Sequence, residues 1–126
     1  MWHETILISP MLISQDKGVK IFLDEFKQKL ITFGVFFVSR PKNLQALADL
    51  EITPKYREQI LKELTNEDYC EGPLNNDQYG NNPMWVFGKI IKGQELYIKI
   101  TTANTAICIS FHIAEWQLTY PLKKMS

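Results

Sequence analysis

Met84-Trp85-Val86-Phe87-Gly88-Lys89, Leu96-Tyr97-Ile98-Lys99-Ile100 and Ala106-Ile107-Cys108-Ile109-Ser110-Phe111-His112 are three runs in which apolar and polar side chains alternate. A period of two over such lengths marks half-buried strands. Lys92-Gly93 lies between the first two as a two-residue hairpin turn, with glycine supplying a positive φ. That turn pairs Ile91 with Gln94, and the register follows by counting back: Gly88 opposite Tyr97, Phe87 opposite Ile98, Val86 opposite Lys99, Trp85 opposite Ile100. Opposed residues share a face. Trp85, Phe87, Leu96, Ile98 and Ile100 therefore form one apolar surface, with Tyr97 and Lys99 on the other and Gly88 leaving room beside the Tyr97 ring. A three-residue loop would destroy this match. Extending the alternation puts Ile107, Ile109 and Phe111 on the apolar surface. Ala106, Cys108, Ser110 and His112 then join Tyr97 and Lys99.

Outward from this meander, the upstream half reads as helices. Asp16 is placed to cap a helix whose apolar stripe is Val19, Phe22, Leu23, Phe26 and Leu30, running to about Ile31 and broken by Gly34. Val35 to Val38 reads as a short buried strand, and Arg40-Pro41-Lys42-Asn43 as a turn. Asn43 is expected to cap a short helix through Leu50 with Leu44, Leu47 and Leu50 inward. Thr53-Pro54 is a hydroxyl cap followed by Pro at the first helical position. The helix it opens presents Tyr56, Ile60, Leu61 and Leu64. Thr65 with Asp68 caps one further turn. Glu71 to Pro83, rich in Asn, Gly and Pro, reads as a loop long enough to be functional. Thr5 to Ile8 is a possible edge strand. The expected class is α+β: a small antiparallel sheet of three to four strands with N-terminal helices packed on one face.

At 126 residues the chain suits one domain, divided as an extension over 1–15, a folded body over 16–122 and a basic tail over 123–126. Net charge is zero, which argues against indiscriminate coating of nucleic acid. Residues 1–83 carry nine Lys/Arg against twelve Asp/Glu, and 84–126 carry five Lys against two Glu, so the sheet is the end that attracts anions. Cys70 and Cys108 have neither disulfide nor zinc spacing, which points to a reducing compartment and to no metal or cofactor. Met1 to Ile13 lacks the basic start and cleavage site of a signal peptide, and no run spans a bilayer.

The ionisable face carries a chemistry. Metal-free RNA cleavage needs a group to take the 2′-hydroxyl proton, a charge on the phosphate, and a donor for the leaving 5′-oxygen. His112 supplies an acid or base, Lys99 a cation for the phosphate, and Tyr97 a hydrogen-bond donor or stacking surface. Arg40, Lys42 and Lys89 are outer candidates for backbone contacts, Lys89 at the rim of the apolar face. The bland alternative is a face half covered by the C-terminal segment, with His112 only hydrogen-bonded. A Cys108–His112 pair also stays open, and Glu71 is either a second acid/base or a solvated loop carboxylate.

Glu67-Asp68-Tyr69-Cys70-Glu71-Gly72-Pro73, Trp85-Val86-Phe87-Gly88-Lys89, Gly93-Gln94-Glu95-Leu96-Tyr97-Ile98-Lys99-Ile100 and Cys108-Ile109-Ser110-Phe111-His112-Ile113-Ala114-Glu115 resemble, in order and spacing, the MqsR-like toxins of bacterial toxin–antitoxin systems. The resemblance spans roughly Ile21 to Leu122. It implies a RelE-like fold (the RelE/ParE class), a cytoplasmic protein, and an open sheet face that cuts messenger RNA. Tyr97 falls on a tyrosine of the family's active face. His112 replaces a lysine, Val86 a glutamine and Glu71 a lysine, so the family's cleavage preference does not carry over. The implied partner is an antitoxin of the zinc-binding, helix-turn-helix kind, with no membrane association and no DNA binding by this chain alone. Two rival readings are a non-catalytic protein-binding module and a degenerate toxin that only binds its antitoxin.

Overall fold

A computed structural model describes residues 10–124. The order is α1 (Pro10–Phe33), β1 (Val35–Phe37), α2 (Pro41–Leu50), α3 (Pro54–Lys62), a 3-10 turn (Asn66–Asp68), β2 (Tyr69–Leu74), β3 (Met84–Ile91), β4 (Gln94–Thr102) and β5 (Ala106–Ile113). The strands form one sheet in the order β1-β5-β4-β3-β2. The sheet is mixed: β1 runs parallel to β5 and the other pairs are antiparallel. The α+β class holds, but among the described residues the sheet has five strands rather than three or four. Among the described residues no helix is long and apolar enough to cross a membrane.

The hairpin register is the expected one throughout, from Trp85↔Ile100 to Ile91↔Gln94. Lys92 and Gly93 both take positive φ, 52° and 79°, the geometry whose twist suits adjacent strands. Phe87, Leu96, Ile98, Ile100 and Phe111 are fully buried against Val19, Phe22, Leu23, Phe26 and Leu30 of α1 and Ile60 and Leu61 of α3. Each such Phe contributes roughly 1.5–3 kcal/mol on burial. Trp85 stacks on Phe22 at 5.1 Å.

Several boundaries differ. α1 starts at Pro10, and Asp16 lies inside it, paired with Lys20 one turn on. Pro at the first helical position gives up no hydrogen bond. The same holds for α2, which begins at Pro41, so Arg40 is its N-cap and the residues after it are helix rather than turn. Asn43 is not a cap. It is buried inside α2 with Ala46 and Leu50, while Leu44 is exposed. On α3 the Thr53 hydroxyl caps the Tyr56 N–H as expected. Arg57 rather than Tyr56 turns inward, its guanidinium 3.5 Å from the Phe37 ring centroid. β1 is an edge strand with Phe36 exposed, not a buried one. β2 occupies the start of what read as loop, and an edge strand tolerates its Pro73. The expected strand at Thr5 to Ile8 lies outside the described residues.

A β-bulge gives the largest correction. Lys99 pairs with Ser110 but Ile100 pairs with Cys108, so Ile109 is an extra residue in β5. Beyond it the alternation reverses. Cys108 and Ala106 join the helix-facing core, and Ile107 and Ile109 turn to the other face, where they pack with Val38.

Candidate functional site

The side chains of β4 that point away from the helices are Glu95, Tyr97, Lys99 and Thr101, by alternation from the buried Leu96, Ile98 and Ile100. The outer two hold covers on the sheet. Glu95 accepts from the Leu118 N–H at 3.0 Å and from the Tyr120 hydroxyl at 2.7 Å, anchoring the C-terminal segment. The Thr101 hydroxyl donates to the Pro83 carbonyl at 2.8 Å, and Asn82 Nδ2 donates to the Thr102 carbonyl at 2.8 Å. These bonds anchor the loop between β2 and β3. Tyr97 and Lys99 lie in the strip left between the covers.

Two cross-strand rows fill that strip. One is Gly88–Tyr97–His112 and the other Glu71–Val86–Lys99–Ser110. Tyr97 and His112 stack with ring centroids 5.3 Å apart and planes 15° from parallel. Trp116, largely exposed, meets Tyr97 edge-on at 6.0 Å. The His112 Nδ1 lies 3.0 Å from the Ile113 carbonyl, an acceptor, so Nδ1 is the donor there and Nε2 is the ring nitrogen left for a substrate. The room at Gly88 serves Tyr120 and Leu118 rather than Tyr97. A Cβ there would fall 2.3 Å from the Tyr120 hydroxyl and 2.8 Å from Leu118 Cδ1.

Asn43 ties this face to α2. Its Nδ2 donates to the carbonyls of Val38 and Ile109, both at 2.9 Å, and its Oδ1 accepts from the Phe111 N–H at 3.0 Å. These bonds satisfy backbone groups on either side of Ser110, where the bulge interrupts the ladder.

The predicted cations divide. Arg40 and Lys99 line one cleft of about 230 Å³ with Asn76, Tyr79, Met84 and Ile109. Lys42 does not line it; it is exposed and bonded to Glu115 at 2.7 Å. Lys89 does not join them. It lies on the helix side of the sheet edge, paired with Asp68 at 3.1 Å, because its partner in the register, Leu96, is a core residue. That placement removes it from the site. The Cys108–His112 pair is also excluded, since the bulge turns Cys108 into the core.

Electrostatics follow from burial. Desolvation lowers the Lys99 pKa, Arg40 lowers it further, and Glu71 and Tyr79 act in the other direction. Desolvation, then Glu71, then Cys70 push the Tyr97 phenol up, so it keeps its proton. Both thiols are pushed up to about 12, chiefly by burial. Lys42 holds the Glu115 carboxyl below its ordinary range, with a smaller effect from His112. Among the described residues no three His, Cys, Asp or Glu are grouped to hold a metal ion.

Sequence reasoning did not single out Tyr79, Trp116 or the position of Glu71 on a strand. Tyr79 was legible only as part of a polar loop, and Trp116 follows the last strand with no pattern to mark it. No protein-family model, curated protein or solved structure matches this chain.

Proposed function

We propose that the chain is a metal-independent endoribonuclease acting on messenger RNA, the toxin of a toxin–antitoxin pair with a RelE-like arrangement of helices and sheet. The observation that supports this reading is the stacked Tyr97–His112 pair, half-buried beside Lys99 in the strip between the two covers. His112 and Tyr97 supply acid/base and hydrogen-bonding groups, Lys99 is the next outward-facing residue along β4, and Arg40 lies in the same cleft as Lys99.

In this reading the roles divide among three groups. His112 Nε2 takes the 2′-hydroxyl proton. The 2′-oxygen bonds to phosphorus and the P–O5′ bond breaks, leaving a 2′,3′-cyclic phosphate and a 5′-hydroxyl. Lys99 neutralises the charge that grows on the phosphate oxygens. An ammonium made more acidic by burial can also return a proton to O5′. Tyr97, still protonated, donates a hydrogen bond and orients the substrate. The partner is an antitoxin protein, and the compartment is the cytoplasm.

Expression in bacteria tests the biological half. Growth arrest by the wild-type chain, absent for His112→Ala and relieved by the protein of the neighbouring gene, supports the reading. Unimpaired growth at full expression favours a non-catalytic binding module.

A further inference from the structure

Five lysines, at positions 20, 29, 42, 62 and 89, pair with carboxylates within 4 Å. Arg40 and Lys99 are among several cations of the described residues with no such partner, and these two line one half-buried cleft, where Arg40 depresses the Lys99 pKa. Two unpaired cations facing one small cleft favour an anion between them. The third wall is aromatic. Tyr79, like Met84, packs against the cluster of Val38, Ile107 and Ile109, and Arg40 lies over its ring, 6.0 Å from the centroid, and reaches its hydroxyl at 3.4 Å.

Tyr79 is held there by construction. Asn76 is buried. Its Nδ2 donates to the carbonyls of Tyr79 and Asn82, both at 2.9 Å, and its Oδ1 accepts from the Tyr79 N–H at 2.9 Å. A second acceptance comes from the Gln78 N–H at 3.3 Å. The loop is thus built around one amide that fixes the aromatic ring beside the two cations. Asn75, Gln78 and the exposed Asp77 complete the lining; Asp77 is its one carboxylate, so the two cations leave the cleft a net positive charge of one. The cleft is smaller than the ~300–1,000 Å³ that encloses a drug-sized ligand, so it would seat a phosphate and one face of a base with the rest of the nucleotide in solvent.

We propose that this cleft is a nucleotide subsite for single-stranded RNA, with a phosphate between Arg40 and Lys99 and the adjoining base stacked on Tyr79. The subsite rests on the ribonuclease reading for the identity of its ligand. It runs the strand from the Tyr97–His112 pair toward the β2–β3 loop, and it makes that loop a determinant of base preference. Stacking on an aromatic ring is how proteins hold unpaired bases.

The test is equilibrium binding of a 2′-O-methyl tetranucleotide, which has no 2′-hydroxyl to react, so the result does not depend on catalysis. The wild-type chain is compared with Tyr79→Phe, Tyr79→Leu and Arg40→Ala, each checked for folding by circular dichroism. Tyr79→Leu keeps the packing on Ile107 and Ile109 but loses the π face. We expect binding retained in Tyr79→Phe and weakened about 5- to 100-fold in Tyr79→Leu. Arg40→Ala should weaken binding and lower the salt slope by ~1. Equal binding by Tyr79→Leu and wild type, or no binding of the tetranucleotide at all, overturns the subsite. If RNA is still cleaved in a His112-dependent way, the ribonuclease reading survives that failure.

Discussion

The Asn43 side-chain carbonyl accepts the backbone N–H of Phe111 across 3.0 Å, while its amide donates to the carbonyl of Ile109. One polar residue buried in a helix thereby closes the hydrogen bonds on both sides of a bulge and fixes how β5 presents Ser110 and His112. Replacing Asn43 by Ala strands buried backbone groups, each at a cost of about 1–3 kcal/mol. Asn43→Ala should lose about 3 kcal/mol in urea unfolding and lose cleavage with it. A change under about 0.5 kcal/mol would mean that the bulge supports itself.

Gly88→Ala tests the C-terminal cover. The new methyl meets Tyr120 and Leu118, and relieving the clash means lifting the segment off Glu95. Faster amide exchange at Leu118 is expected, with the Tyr97 and Ile98 amides little changed and a stability loss of about 1–3 kcal/mol. Unchanged exchange at Leu118 would show that the segment shifts without opening.

The lowered pKa of Lys99 predicts an early alkaline limit. Its charge is lost as pH rises through the folded value, below the ordinary 10.5. RNA binding should therefore weaken on the alkaline side before ordinary lysines titrate, and Lys99→Arg should remove that limb. Between the folded value and 10.5 the unfolded chain binds more protons at this site. Lys99 itself thus adds stability as pH rises through that window, and the binding loss is not an unfolding signal from this group. Salt titrations at each pH, with circular dichroism alongside, make the measurement. Matching wild-type and Lys99→Arg profiles would contradict it.

Neither cysteine should behave as a nucleophile. With both thiols pushed up to about 12, only roughly one in 10⁴ is ionised at pH 8. Iodoacetamide should leave the native chain essentially unlabelled over a time that fully labels it in urea. Rapid labelling of native Cys70, the less buried of the two, would contradict its burial.

What the sequence made legible was local. The β3–β4 register could be counted because Lys92-Gly93 fixes the turn and the alternation on both strands agrees with it. The stripe of α1 was equally plain, since Val19 to Leu30 repeats at helical spacing. The bulge left no local mark, because the group that satisfies it, Asn43, lies 66 residues from Ile109. β2 was hidden by Gly72 and Pro73, which are signals of loop except at a sheet edge. Tyr97, Lys99 and His112 were placed on one face correctly, as the bulge begins after Ser110 has already paired. Cys108, on its far side, was not.

The most direct test of the central claim is incubation of the purified chain, beside its His112→Ala variant, with a defined long RNA in EDTA, followed by mapping of the new ends. Discrete cuts bearing 2′,3′-cyclic phosphate and 5′-hydroxyl ends, lost or slowed at least 10²-fold in His112→Ala, are the predicted result. Equal cutting by both proteins would contradict the role assigned to His112, and an RNA left intact by both would contradict metal-independent cleavage of free RNA.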